Sequence, residues 1–156
     1  MGAIDDRISE LSYTLPETAT PGGNYVTAVS VPSAGLVYTA GHVPRLPDGS
    51  FITGKVGADL SVEEGYEAAK RVGLDLLGTL RTHLGDLDRI SRFVKLLCMV
   101  NCAPDFGQQP AVANGCSDLL VEIFGDKGRH ARSAVGMAAL PANVAVEIEM
   151  IVEVSP

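Results

Sequence analysis

"ISRFVKLLCMVN" occupies residues 90–101, and its reading decides how the rest of the chain is arranged. Alternation along a strand puts Ile90, Val94, Leu96, Cys98 and Val100 on one side and Phe93, Leu97 and Met99 on the other. Both sides are largely apolar, so both should be covered. Helices on either side in sequence supply one cover. Upstream, Ser61 and Glu64 form a capping-box pattern, which predicts a helix to about Leu84 with Gly85 as its stop. Its stripe is Val62, Tyr66, Ala69, Val72, Leu76, Leu80 and Leu84. Gly65, Gly73 and Gly78 lie inside it, each at a cost of about 1 kcal/mol relative to alanine. Close packing against a sheet is the expected reason. Downstream, a second helix is predicted from about Gln109 to Phe124. Val112, Cys116, Leu119, Leu120 and Ile123 face inward there, and Gly125 ends it.

Further out, residues 4–12 can form a short amphipathic helix, and "LPETATPGGN" (15–24) reads as a loop. "YVTAVSV" (25–31) and "GLVYTAGHV" (35–43) read as two strands joined by a turn. The stretch 44–59 is turn-rich, with Asp48-Gly49 as a tight turn. Two last strands are expected at 132–139 and 144–154. Their short link "LPAN" predicts an antiparallel pair. The order is β-β-α-β-α-β-β, an α+β fold with both main helices on one sheet face. Residues 1–156 form one domain, with 1–24 as an N-terminal helix-and-loop extension. Two helices cannot cover both faces, so a second subunit is the expected cover and the chain a homo-oligomer.

Composition narrows the function classes. The chain has 156 residues, 46% hydrophobic and 20% charged, an ordinary globular balance. A net charge of −7 argues against a nucleic-acid groove, which needs concentrated Lys and Arg, but leaves room for a small anion in a local positive pocket. No run reaches the length of a membrane span. The N-terminus "MGAIDDRISELS" is acidic where a signal peptide is basic, and Asp6 stands where a myristoylation signal has Ser or Thr. Cys98, Cys102 and Cys116 fit no zinc or redox spacing and read as reduced thiols of a cytoplasmic protein. His42, His83 and His130 show no ligand pattern, so no metal is expected.

The chemistry concentrates at the C-terminal end. In "RHARSAVGMAALP" (129–141), Arg132, Ala134, Gly136 and Ala138 share one side of the strand. A guanidinium above very small side chains has room beside it, and its planar fork suits a carboxylate-bearing small molecule. The next strand, "VEIEMIVEV" (146–154), alternates Val146, Ile148, Met150, Val152 and Val154 with Glu147, Glu149, Ile151 and Glu153. Paired antiparallel, the strands would place one or more glutamates on the face of Arg132. The residues alone leave open a plain ion pair with one of them, on a solvated strand face.

"HARSAVGMAALP" followed by "VEIEMIVEV" resembles the C-terminal signature of the RidA/YjgF family of reactive-intermediate deaminases, also described as endoribonuclease L-PSP-like. "VYTAGH" is similar to that family's second strand, "GNY" to its early Gly-Pro-Tyr stretch, and "VANG" to its Val-Asn position. The resemblance implies a chorismate-mutase-like fold and a homotrimer with ligand clefts between subunits. It implies hydrolysis of 2-imino acids and their enamine tautomers, such as 2-aminoacrylate, to 2-keto acids and ammonia, with no cofactor. Arg132 would then bind the carboxylate and Glu147 position the attacking water, with Tyr25 and Asn114 lining the cleft. Many relatives carry a cysteine two residues after the arginine. Here that position is Ala134, so a mechanism needing that thiol is excluded and Ala134 simply borders the substrate. Gly-Asn-Tyr for Gly-Pro-Tyr bears on the pose of Tyr25, and extra residues around "CAPDFGQQP" could reshape the cleft. The alternatives are a non-catalytic sensor of 2-keto acids or amino acids, and a ribonuclease, for which the acidic chain offers no basic groove.

Overall fold

The capping box forms as its spacing predicts. In the computed structural model, which describes residues 2–155, Ser61 Oγ accepts from the Glu64 amide while the Glu64 carboxylate accepts from the Ser61 amide at 2.7 Å. In chain order the elements are α1 (Ala3–Glu10), β1 (Ala28–Val31), β2 (Leu36–Thr39), α2 (Val62–Leu84), β3 (Ile90–Asn101), α3 (Gln109–Phe124), β4 (Ala131–Met137) and β5 (Val146–Val154). The α+β order is the predicted one, with strands shorter than the alternating patterns suggested. β2 stops at Thr39 and β4 at Met137, so Ala138 lies beyond the strand that carries Arg132.

The five strands are ordered β1-β2-β5-β3-β4. β4 and β5 are therefore not a hairpin, although their alternation and short link predict one. β4 runs parallel to β3 on its outer side, with Leu96 opposite Arg132. β5 runs antiparallel to β3 on the other side, with Leu96 opposite Met150. The cause is the intervening helix: a strand–helix–strand unit returns the chain parallel to its first strand, and α3 makes β3 and β4 such a unit. The link after Met137 then crosses the end of β3 through a 3₁₀ turn at Pro141–Asn143, with Ala142 and Asn143 at φ 54° and 55°. Buried Asn101 holds that crossing. Its Nδ2 donates to Asn143 Oδ1 at 3.0 Å and to the Val144 carbonyl at 3.1 Å, and its Oδ1 accepts from Lys55 Nζ at 2.8 Å.

One sheet face forms the core. Leu96, Cys98 and Val100 of β3 and Val146, Ile148, Met150 and Val152 of β5 are buried with the stripes of α2 and α3. Upstream in β3 the pattern inverts. A register shift against β5 between Phe93 and Lys95 turns Phe93 inward and leaves Val94 half-buried, the reverse of strict alternation. The other face carries Tyr38, Leu97, Met99, Val135 and Ile151, all partly exposed, so among the described residues no element covers it as the helices cover the first. The glycines of α2 do not meet the sheet. Gly65 and Gly73 lie against Val112, Cys116 and Leu119 of α3, and Gly78 against the Pro16 carbonyl. The two helices cross so closely that a Cβ on Gly115 would overlap the Tyr66 carbonyl.

Candidate active site

Arg132 sits on an edge strand, on the face that α3 packs against. Its NH1 donates to Ser117 Oγ at 3.0 Å and its NH2 to the Pro110 carbonyl at 3.2 Å. It belongs to no ion pair among the described residues, so the plain Arg–Glu pair is absent. Three of its five N–H groups keep no acceptor among the described residues. Ser117 is itself held. Its hydroxyl lies 2.9 Å from His130 Nε2, while His130 Nδ1 lies 2.6 Å from the Gly128 carbonyl. A carbonyl only accepts, so the ring proton is on Nδ1 and Nε2 takes the Ser117 hydroxyl proton, leaving a Ser117 lone pair for Arg132. Burial lowers the His130 pKa, with the Arg132 charge adding to it and the Gly128 carbonyl opposing, which keeps this tautomer neutral. Asn114 is exposed on α3 and shares a helix face with Pro110 and Ser117, the two residues that hold the guanidinium. Ala134, two residues on from Arg132, continues the same strand face. Arg132, Asn114 and Ala134 thus form one group.

Glu147 and Tyr25 form another. The register pairs Glu147 with Met99 and Arg132 with Leu96, and these are opposite faces of the sheet. The expectation that a glutamate of β5 shares a face with Arg132 is corrected, for the same reason that the hairpin is absent. Glu147 lines a cavity of about 540 Å³ with Tyr25, Thr27, Gly41, His42, Arg45, Phe51, Asp75 and Pro141 around it. Gly41 is what admits the carboxylate, since a Cβ there would collide with Glu147 Oε1. Glu147 takes part in no side-chain hydrogen bond or ion pair among the described residues. Its pKa is raised, first by burial and then by the neighbouring charge of Glu149. Tyr25 is 56% exposed at the rim, and its hydroxyl accepts from the Gly22 amide at 3.3 Å.

Three groups around this cavity were not anticipated. His42 is buried, with Nδ1 donating to the Ala40 carbonyl at 2.8 Å and Nε2 accepting from Thr79 Oγ1 at 2.8 Å; burial lowers its pKa. Asp75 lies within α2 and pairs with Arg45 at 3.4 Å and Arg71 at 3.7 Å. Asp75 had a readable signal, an acid among Leu74, Leu76 and Leu77 on a buried helix. Arg45, in an aperiodic turn, had none. All three cysteines are buried free thiols, and burial pushes the Cys98 pKa up to about 12. Among the described residues no three His, Cys, Asp or Glu side chains gather as a metal site requires, and no helix is long and apolar enough to cross a membrane.

Residues 5–154 match the family described as "YjgF/chorismate_mutase-like, putative endoribonuclease". The chain belongs to this YjgF-like family. It is 42% identical to Protein TCP17 of Trypanosoma cruzi over 99% of this chain and 96% of that one. Its structure is similar to that of Atu1372 from Agrobacterium tumefaciens, with a TM-score of 0.88 at 40% identity, covering 97% of this chain and 94% of the other. It also matches a structure described as a putative endoribonuclease from Shewanella oneidensis, with a TM-score of 0.93 at 31% identity over 98% and 100% of the two chains. In this chain β5 lies between β2 and β3. The same topology sends the side chains of Arg132 and Glu147 to opposite faces.

Proposed function

We propose that the protein hydrolyses 2-imino acids and their enamine tautomers to 2-keto acids and ammonia, in clefts between the subunits of a homotrimer. The observation that supports this is the pair of unsatisfied charges. An unpaired guanidinium faces one way and an unpaired half-buried carboxylate the other, so one substrate can meet both only where two copies of the chain abut. The exposed edge of β4 and the uncovered apolar sheet face are surfaces on which a second copy could pack. Arg132 would hold the substrate carboxylate with its free N–H groups, while Ser117 and the Pro110 carbonyl fix its direction. Glu147 takes a proton from water as the oxygen adds to the iminium carbon, forming a carbinolamine. Glu147 returns that proton to nitrogen; the C–N bond then breaks to release ammonia while Glu147 accepts the hydroxyl proton as the C=O bond forms. The iminium carbon is already electrophilic, so positioning and one base suffice. Ribonuclease chemistry is less well served. Both ring nitrogens of His42 and of His130 are engaged within the protein, and the net charge is −7.

The test is to generate imino acids in situ with an amino-acid oxidase and time keto-acid release. The native chain is expected to accelerate it, and Arg132→Ala to lower kcat/KM about 100-fold or more, the loss of two charge-assisted hydrogen bonds. No acceleration by the native chain would reject the deaminase. Arg132-dependent keto-acid binding without turnover would establish the sensor instead, and sedimentation checks the trimer. Ser117→Ala, which leaves Arg132 charged but less firmly aimed, should weaken 2-keto acid binding about tenfold, equivalent to ~1.4 kcal/mol. Titration calorimetry reads that change directly.

A further inference from the structure

Arg45 is the cation that shares the Glu147 cavity, and the way it is held suggests a second task. Asp75 is only 5% exposed, and two guanidiniums converge on it, Arg45 NH2 at 3.4 Å and Arg71 Nε at 3.7 Å. One carboxylate cannot neutralise two arginines, so the cluster keeps a positive charge. Arg45, with its side chain 29% exposed, is the member that lines the cavity. Its position is fixed from three directions. Arg71 Nε donates to the Arg45 carbonyl at 2.6 Å, and Arg45 NH2 donates both to Asp75 Oδ1 and to the Glu17 carbonyl. Both side-chain bonds use NH2, so Nε and NH1 keep no acceptor among the described residues. A long side chain pinned this way has already lost the freedom that ligand binding would otherwise cost. Tyr25, Phe51 and Pro141 give the same cavity apolar wall, and neutral His42 adds no competing charge.

We propose that Arg45 is a specificity-determining residue that receives a second anionic group, so that the favoured ligands are 2-keto and 2-imino dicarboxylates. The inference rests on the reading in which Arg132 holds the first carboxylate and Glu147 activates water. A substrate bound with its reacting carbon beside Glu147 would then have its first carboxylate at Arg132 of one copy. Its side chain would extend into the cavity of the other copy, toward Arg45. A purely aliphatic side chain would leave the free donors of Arg45 without an acceptor, a penalty that discriminates strongly in enclosed sites.

The experiment measures the affinity of the native protein for 2-oxobutanoate and for 2-oxoglutarate, and repeats it with Arg45→Met, Arg45→Gln and Arg132→Ala. The native chain should bind the dicarboxylate at least tenfold more tightly. In Arg45→Met the ratio of the two dissociation constants should fall to about one, and Arg132→Ala should weaken both ligands alike. Arg45→Gln keeps a donor for the Glu17 carbonyl and serves if the methionine variant does not fold, as thermal melts will show. A native ratio near one, or a preference that survives loss of Arg45, overturns the proposal. If the preference exists and depends on Arg45 but imino acids are not hydrolysed, the proposal stands and the deaminase reading falls.

Discussion

Exchanging Glu147 for glutamine is expected to lower kcat for imino-acid hydrolysis by about 10²–10⁴-fold, the usual contribution of a positioned base, with KM little changed. Glutamine has nearly the same shape and still fits the space beside Gly41, so the loss would report proton transfer and not packing. The carboxylate is half-buried with no hydrogen-bond partner among the described residues, and burial together with Glu149 raises its pKa above the ordinary glutamate value. A base must be deprotonated to act. The native rate should therefore fall as the pH drops through this raised value, with the acid limb displaced upward from that of an ordinary glutamate. Glu149→Gln removes the like charge and should move the limb down, toward ordinary glutamate behaviour, without removing the base. An acid limb that ignores Glu149, or a Glu147→Gln enzyme with native turnover, would show that another group carries the proton.

Substituting alanine for Gly115 should damage the fold more than any single change at the cavity. A Cβ there would overlap the Tyr66 carbonyl, and would lie 2.8 Å from the Tyr66 carbonyl carbon and 3.0 Å from the Lys70 amide nitrogen. These atoms are backbone of α2, so no side-chain rotation relieves the clash and the two helices must separate. Overpacking costs typically 1–3 kcal/mol and occasionally more. A rigid backbone obstacle puts this site at the upper end, about 3 kcal/mol, which for a domain of this size corresponds to a melting temperature lower by roughly 10 °C. Gly107→Ala, where the added atom would meet nothing within 4 Å, is the control and should melt within a degree or two of the native chain.

What could be read in advance follows how local each determinant is. Ser61, Glu64 and Gly85 mark the ends of α2 by chemistry that acts within four residues, and the α3 stripe sets its bounds at Gln109 and Phe124 in the same way. Alternation also assigned the faces of β5 correctly, since Val146, Ile148, Met150 and Val152 are all buried. It could not say which strand lies beside which. The neighbours of β4 and β5 are set by the α3 crossover and by the buried Asn101 bonds, contacts that span more than forty residues. The inversion at Phe93 comes from a register shift against a partner strand, which no pattern within 90–101 records. The candidate site divides along the same line. The residues carrying the family resemblance, Arg132, Glu147, Tyr25 and Asn114, could be picked out one by one. Their separation onto two faces was hidden, because it depends on the misjudged pairing. Arg45 gains meaning only from the distant Asp75 and Arg71.

β5 is the last strand in the sequence and the middle one in the sheet. During synthesis, β1 and β2 emerge early and β3 and β4 later, and these pairs share no strand until residues 146–154 leave the ribosome. The nascent chain would therefore wait with two open β edges flanking a vacant slot, a state exposed to pairing with other chains. Closing that slot joins strands from both sides of the chain in one step, so emergence of residues 146–154, not of the helices, should gate the formation of the native sheet.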